Sequence, residues 1–269
     1  MFDDATREIR FANRHHAGRV LAERLRTYAG RHDVLVLGLP RGGVPVAYEV
    51  ARSLGAALDV FVVRKLGVPQ QPELAMGAIA SGGVRVLNDD VVRWYRIPQG
   101  TIEAVARDEE RELTRRERAY RNGRPGVPIE GKVGVLVDDG LATGSTMRAA
   151  IGAVRRLNPS RVIVAVPVGA PETCRELRDV ADEVVCGKTP AAFSAVGAWY
   201  QDFSQTTDDE VTTLLQESGV GPGVGSRRSI RRPRTEPAAG TAALTSSART
   251  CRPMGTQPVS GCLVRARTT

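Results

Sequence analysis

The chain has 269 residues, few aromatics (4%), 38 basic and 30 acidic side chains, and a formal net charge of +8. That length buries one sizeable core with chain to spare, while the lack of a bilayer-length apolar run or of an apolar signal core after Met1 argues against a membrane-spanning or exported class. The basic excess is local: residues 219–269 hold nine Arg and one acid, Glu236, so the other 218 residues carry 29 basic and 29 acidic groups and no net charge, which removes the pI as an argument for a nucleic-acid-binding body.

Residues 14–29 have amphipathic helical spacing, with Ala17, Val20, Leu21, Leu25 and Tyr28 opposite Arg19, Glu23, Arg24 and Arg26. His15 and His16 have no third ligand spaced nearby and are expected to be solvated or capping groups. Val34 to Leu39 reads as a buried strand. Pro40-Arg-Gly-Gly-Val-Pro45 follows, then a helix through Leu54; Gly42 and Gly43 permit a tight turn with exposed amides, and Arg41 places a cation beside them. Leu58 to Val63 is predicted to be a third strand ending in Arg64 and Lys65, at the strand end where open α/β sheets bind ligands. A solvated strand end would have the same composition. Gln70 to Gly83 is rich in small residues without periodicity, the composition of a mobile lid, with Glu73 as its carboxylate. Val84 to Leu87 is a short edge strand, and 91–121 is helical with Ile102, Val105, Leu113 and Tyr120 on a thin apolar stripe. An Asn-Gly-Arg-Pro-Gly-Val-Pro loop closes this helical insertion, about 88–126.

The most informative stretch is Lys132 to Ala150. Val133 to Val137 is a strand buried on both faces, Asp138 to Thr143 a polar glycine-bearing turn, and the helix beyond begins at Gly144 or Ser145. Free N–H groups and the positive end of the helix dipole point into such a turn, and Ala142, Thr143, Gly144, Ser145 and Thr146 would line it, an arrangement suited to a phosphate. Asp138 and Asp139 repel one another and call for a divalent cation, a basic neighbour or sugar hydroxyls. A capped strand–helix junction would use the same residue types.

Further strands at 161–168 and 182–186, a helix at 172–180 between them, and the preceding alternation predict a parallel sheet covered by helices on both faces. Cys174 and Cys186 fall in that helix and strand, where buried reduced thiols are expected, and none of the four Cys has metal-ligand spacing; a soluble, reducing, cytoplasmic setting follows. After the last strand, residues 187–217 hold Lys188 and the neighbours Trp199 and Tyr200. The rings either stack on a nucleobase, with Lys188 donating to a ring carbonyl, or close the core. A short helix over 207–216 ends the body. Residues 218–269 are Gly/Pro/Ser-rich and Arg-bearing, a low-complexity tail expected to be a disordered extension, whose arginines would be the chain's one route to RNA or an acidic surface.

Val135-Leu-Val-Asp-Asp-Gly-Leu-Ala-Thr-Gly-Ser-Thr146 resembles the phosphoribosyl-pyrophosphate (PRPP) signature of the type I phosphoribosyltransferases. Val63-Arg-Lys-Leu-Gly67, Pro72 to Ala80, Val166-Pro-Val168 and Trp199 to Gln205 are similar to a bacterial group of that family with unassigned substrates. The resemblance covers about residues 1–217. It implies an α/β fold with a parallel sheet flanked on both faces, a small hood over about 187–217, and Mg²⁺-dependent transfer of ribose 5-phosphate from PRPP to a nitrogenous base, purine-like by preference. It assigns the 5-phosphate to Ala142–Thr146, ribose hydroxyls and water-bridged Mg²⁺ to Asp138 and Asp139, and pyrophosphate to Arg41, Gly42, Gly43, Arg64 and Lys65. Lys65 and Glu73 are candidates to assist the chemistry, and Lys188, Trp199 and Tyr200 to hold the base. Ala142 stands where enzymes of 6-oxopurines usually carry an acid, which sets the loop closer to the adenine type. A homodimer is compatible with this reading. The competing expectations are a non-catalytic PRPP-sensing regulator with its tail on RNA, and a structural domain without a ligand.

Overall fold

The structure, a computed structural model, describes residues 10–69 and 71–219. Every residue of β1 (Val34–Gly38) and β6 (Val133–Val137) is buried, as short runs of Val and Leu require: such strands persist only in the middle of a sheet covered on both faces. With β2 (Ala57–Val60), β7 (Arg161–Val168) and β8 (Glu183–Lys188) they form a five-stranded parallel sheet in the order β2-β1-β6-β7-β8. Val36 lies level with Leu58 and Val135, and Val135 with Ile163.

The period-two alternation of β1 feeds two cores. Val34 and Val36 belong to one cluster with Leu21 of α1 (Arg14–Arg24), Val50 of α2 (Gly43–Leu54), Leu113 of a long helix over residues 99–120 and Leu214 near the end of the body. Leu35 and Leu37 pack with Ile151 and Val154 of a helix over residues 145–155 and with Cys174. Both faces are therefore covered, as the α/β reading expects.

Four expectations change in the structure. The run 58–63 does not stay in one sheet. It leaves the parallel sheet after Val60, where Phe61 N–H donates to the Gly38 carbonyl and Val62 N–H to Ser81 Oγ, and continues as β3 (Val63–Val68) in a separate antiparallel sheet with β4 (Gln71–Ala80) and β5 (Val84–Leu87). Arg64 and Lys65 thus belong to a hairpin strand and not to the end of a parallel one. The stretch read as an aperiodic lid is mostly β4, the central strand of that sheet, with Met76 and Ile79 fully buried. Its small residues serve close packing: a methyl group on Gly77 would lie 2.5 Å from the Val86 carbonyl of the neighbouring strand. Val84 to Leu87 is an edge strand as predicted.

The helix expected over 91–121 divides into α3 (Asp89–Trp94) and α4 (Gln99–Tyr120). Pro98 caps α4 and disfavours helix at the residue before it, and Arg96 turns the chain at φ 48°. The remaining helices are α5 (Ser145–Arg155), α6 (Pro171–Glu176) and α7 (Asp208–Glu217), the last capped by Thr207. Finally, Cys174 and Cys186 are joined in a disulfide. Spacing in the chain gave no hint of it, because only the β7–α6–β8 crossover brings that helix beside that strand. No helix of the described residues is long and apolar enough to cross a membrane. The tail expected over 218–269 lies, beyond Gly219, outside the described residues.

Candidate functional site

Parallel strands send their following loops to one edge of the sheet, so the turns after β1, β6 and β7 meet there. The turn after β6 is braced from its neighbour: Leu141 N–H donates to the Val168 carbonyl at 2.9 Å, Ala170 N–H to the Leu141 carbonyl at 2.8 Å, and Thr173 Oγ1 to the Ala142 carbonyl at 2.6 Å. Gly144 caps α5 at φ 70°, and a methyl group there would lie 2.5 Å from Thr173 Cγ2. With the chain turned this way, the backbone N–H groups of Thr143 through Met147 have no acceptor among the described residues. The hydroxyls of Thr143 and Ser145, 3.2 Å apart, stand beside them. Asp138, Gly140 through Met147, and Val196 line a cavity of about 180 Å³.

Asp138 and Asp139 sit half-buried at the end of β6. Asp139 N–H donates to Asp138 Oδ1 at 2.8 Å, and Asp139 Oδ2 accepts from Arg14 Nε at 2.8 Å. Burial raises the Asp138 carboxyl well above the ordinary range, and the charge of Asp139 raises it further. Burial also raises Asp139, against the opposing pull of Arg14. The Arg41-Gly42-Gly43 turn, entered through a cis Pro40–Arg41 peptide, lies directly on this pair: a methyl group at Gly42 would stand 2.0 Å from Asp139 Oδ2. The Gly43 N–H is already engaged with the Leu39 carbonyl at 3.0 Å, so Gly43 serves close approach and not donation. Arg41 reaches toward Asp208 at the start of α7, 3.9 Å away.

Neighbouring residues on a strand face opposite ways, and this separates the predicted cation pair. Lys65 points to a second cavity of about 300 Å³, which it lines together with Glu73, Ser145 and Thr146; its Nζ is 3.3 Å from Glu73 Oε2. Arg64 points the other way and pairs with Glu109 of α4 at 2.6 Å. It is not brought to the site.

The predicted base-binding residues also part. Tyr200 is core, 3% exposed, and its hydroxyl donates to the Asp139 carbonyl at 2.6 Å; burial and the nearby Asp139 charge raise its pKa. Trp199 packs on the small cluster of Phe11, Ala17, Val168 and Tyr200. Lys188, the last residue of β8, stands over the Phe11 ring at 5.0 Å. None of the three lines either cavity, and the hood's contribution to the first is Val196.

A Phosphoribosyl transferase domain model matches residues 12–201. The chain belongs to the phosphoribosyl transferase family. It is 53% identical over 208 residues to a Mycobacterium tuberculosis protein named "Putative phosphoribosyl transferase", a match that covers 77% of this chain and 47% of that one. The chain thus spans about half the length of the curated relatives it matches. A crystal structure of TT1426 from Thermus thermophilus superposes with TM-score 0.70 at 47% identity, over 78% of this chain and 99% of that one. The Chloroflexus aurantiacus protein named "Bifunctional protein PyrR" is 35% identical over 132 residues, 47% of this chain and 65% of that protein.

Two site residues of this family member escaped the sequence. Arg14 looks like any charged residue opening an amphipathic helix, yet it is 125 positions from the carboxylate it holds. Thr173 braces the loop from α6, and nothing in its local sequence marks it.

Proposed function

We propose that the chain transfers ribose 5-phosphate from PRPP to a nitrogenous base and releases pyrophosphate. One observation supports this above the others: Asp138, the first of two adjacent half-buried acids, lines the same small cavity as a helix N-terminus with unpaired amides. The 5-phosphate would lie on residues 142–146, where free N–H groups and the helix dipole attract an anion. Asp138 and Asp139 would accept from ribose hydroxyls and favour positive charge developing on the sugar ring. Arg41, the Gly42 amide and Lys65 would balance charge on the departing pyrophosphate. Lys65 and Glu73 stand on the hairpin beside Ser145 and would close the far side. Catalysis would be mainly positioning and electrostatics.

The acid pair fits Mg²⁺: two adjacent carboxylates whose burial disfavours their charge gain from a cation. No group of three His, Cys, Asp or Glu able to hold a metal occurs among the described residues. The ion would therefore be held by the two carboxylates through water and by substrate oxygens, as Mg²⁺ prefers, and it would supply charge neutralisation at the diphosphate. The acceptor is proposed to be purine-like, with the transferase unit ending near residue 217 after the hood. A non-catalytic PRPP sensor is the second reading, favoured by one observation: neither Trp199 nor Tyr200 offers a face to the cavities.

Calorimetry with Mg²⁺-PRPP, then pyrophosphate release across a panel of purines, pyrimidines and small amines, tests both readings. Binding with turnover supports transfer, and binding without turnover for any base supports the sensor. No binding heat, or uptake unchanged in the D138N/D139N double variant, would refute both.

A further inference from the structure

Arg14 is held at three points that leave its guanidinium little freedom. Nε donates to Asp139 Oδ2 at 2.8 Å, Nη1 donates to the Ser204 carbonyl at 2.6 Å, and the group lies 3.9 Å from the centre of the Phe203 ring. The planar fork of Arg can satisfy all three together, and a point charge cannot. Asp139 is fixed from the other sides too. Its carbonyl accepts from Tyr200, and Gly42 closes over Oδ2 without room for a methyl group. Oδ2 is thereby enclosed, while Oδ1 meets no donor from another residue among the described residues. One carboxylate oxygen is anchored, and the other keeps its lone pairs for a donor from outside.

We propose that Arg14 is a positioning residue that orients Asp139 Oδ1 toward a ribose hydroxyl, and so sets a preference for ribose over 2-deoxyribose phosphates. This deepens the function proposed above and rests on it. A carboxylate held this rigidly has its orientation settled before the sugar arrives, so the analogue lacking the hydroxyl forfeits a charge-assisted hydrogen bond. A loose carboxylate would instead rotate to bind water and discriminate little. The anchor also links α1 to the hood through Ser204 and Phe203, so the two segments that flank the acid pair share one cation.

The test uses the full chain and three probes in calorimetry: ribose 5-phosphate, 2-deoxyribose 5-phosphate and inorganic phosphate. Wild type is expected to prefer ribose 5-phosphate by about 10- to 100-fold, the worth of one hydrogen bond to a charged group. R14Q keeps a planar side chain over Phe203 and removes the charge. Its ribose preference should fall to the level of D139N, with affinity for inorganic phosphate unchanged and part of the preference restored in R14K. The double variant R14Q/D139N should lose no more preference than either single variant, as expected of residues acting through one contact. An R14Q protein with the wild-type preference would overturn the inference while leaving the proposed function standing. Loss of phosphate binding in R14Q would overturn it as well, by making Arg14 a general support of the fold. If wild type bound neither sugar, the proposed function would fall and the inference with it.

Discussion

A carboxylate that burial and a like-charged neighbour push toward its neutral form is a cost carried by the ligand-free protein. Asp138 is such a group, and D138N should separate its two effects. The amide keeps the acceptor for Asp139 N–H and removes one buried charge. Because the folded carboxyl titrates above its unfolded value, the wild-type stability attached to it is complete below about pH 4 and is lost as pH rises through the folded value. Without PRPP or Mg²⁺, D138N should therefore melt with wild type in acid and about 2–4 °C above it at neutral pH, a gain of roughly 1 kcal/mol, while losing PRPP uptake. Melting curves across pH would expose the idea as wrong if the gap were widest in acid. Tyr200 makes the opposite case. Y200F leaves the buried Asp139 carbonyl without its donor, and chemical denaturation should show a loss of about 1–3 kcal/mol.

Individual side chains act here through the elements that carry them. The cradle proposed for the phosphate depends on Gly144 holding φ 70° against Thr173 of α6. G144A combines a strained left-handed residue with a clash, so a loss of about 1–3 kcal/mol should accompany loss of inorganic phosphate binding. An intact phosphate site in that variant would show that the cradle forms without this contact. Behind the cradle, the Cys174–Cys186 bridge ties α6 to β8. Closing so short a loop is worth about 3 kcal/mol, so reductant should lower the melting temperature of wild type and leave C174S/C186S unmoved. A cross-linked peptide in a non-reducing digest checks the bridge directly. The hairpin β3–β4 shows why two adjacent cations can part company: a strand sends Lys65 to the cavity and Arg64 to Glu109 of α4.

At the scale of the whole molecule, every residue proposed for the site lies between Arg14 and Ser204, inside a body with no net charge. A chain ending at Gly219 should accordingly bind Mg²⁺-PRPP within about twofold of the full chain, since every residue proposed for the site is retained. Affinity lost with the tail, and falling with salt, would instead place arginines 227–267 at the substrate. Much of this molecule was legible in the residues alone. Val34 to Leu37 and Val133 to Val137 announced buried parallel strands by their unbroken apolar runs, and Asp138 through Thr146 announced an acid pair before a helix N-terminus, because strand, turn and helix start are set by neighbours in sequence. Contacts between distant segments were not legible. The Arg14–Asp139 pair, the Tyr200 hydroxyl on the Asp139 carbonyl, the parting of Arg64 from Lys65 and the Cys174–Cys186 bridge each depend on which elements pack together, and no local pattern encodes that. Local chemistry alone determined which groups, an acid pair and a helix start, stand at this edge of the sheet; the packing of α1, the hood and the hairpin around it decided which other side chains come near them, since nearness is a matter of distance in space and not along the chain.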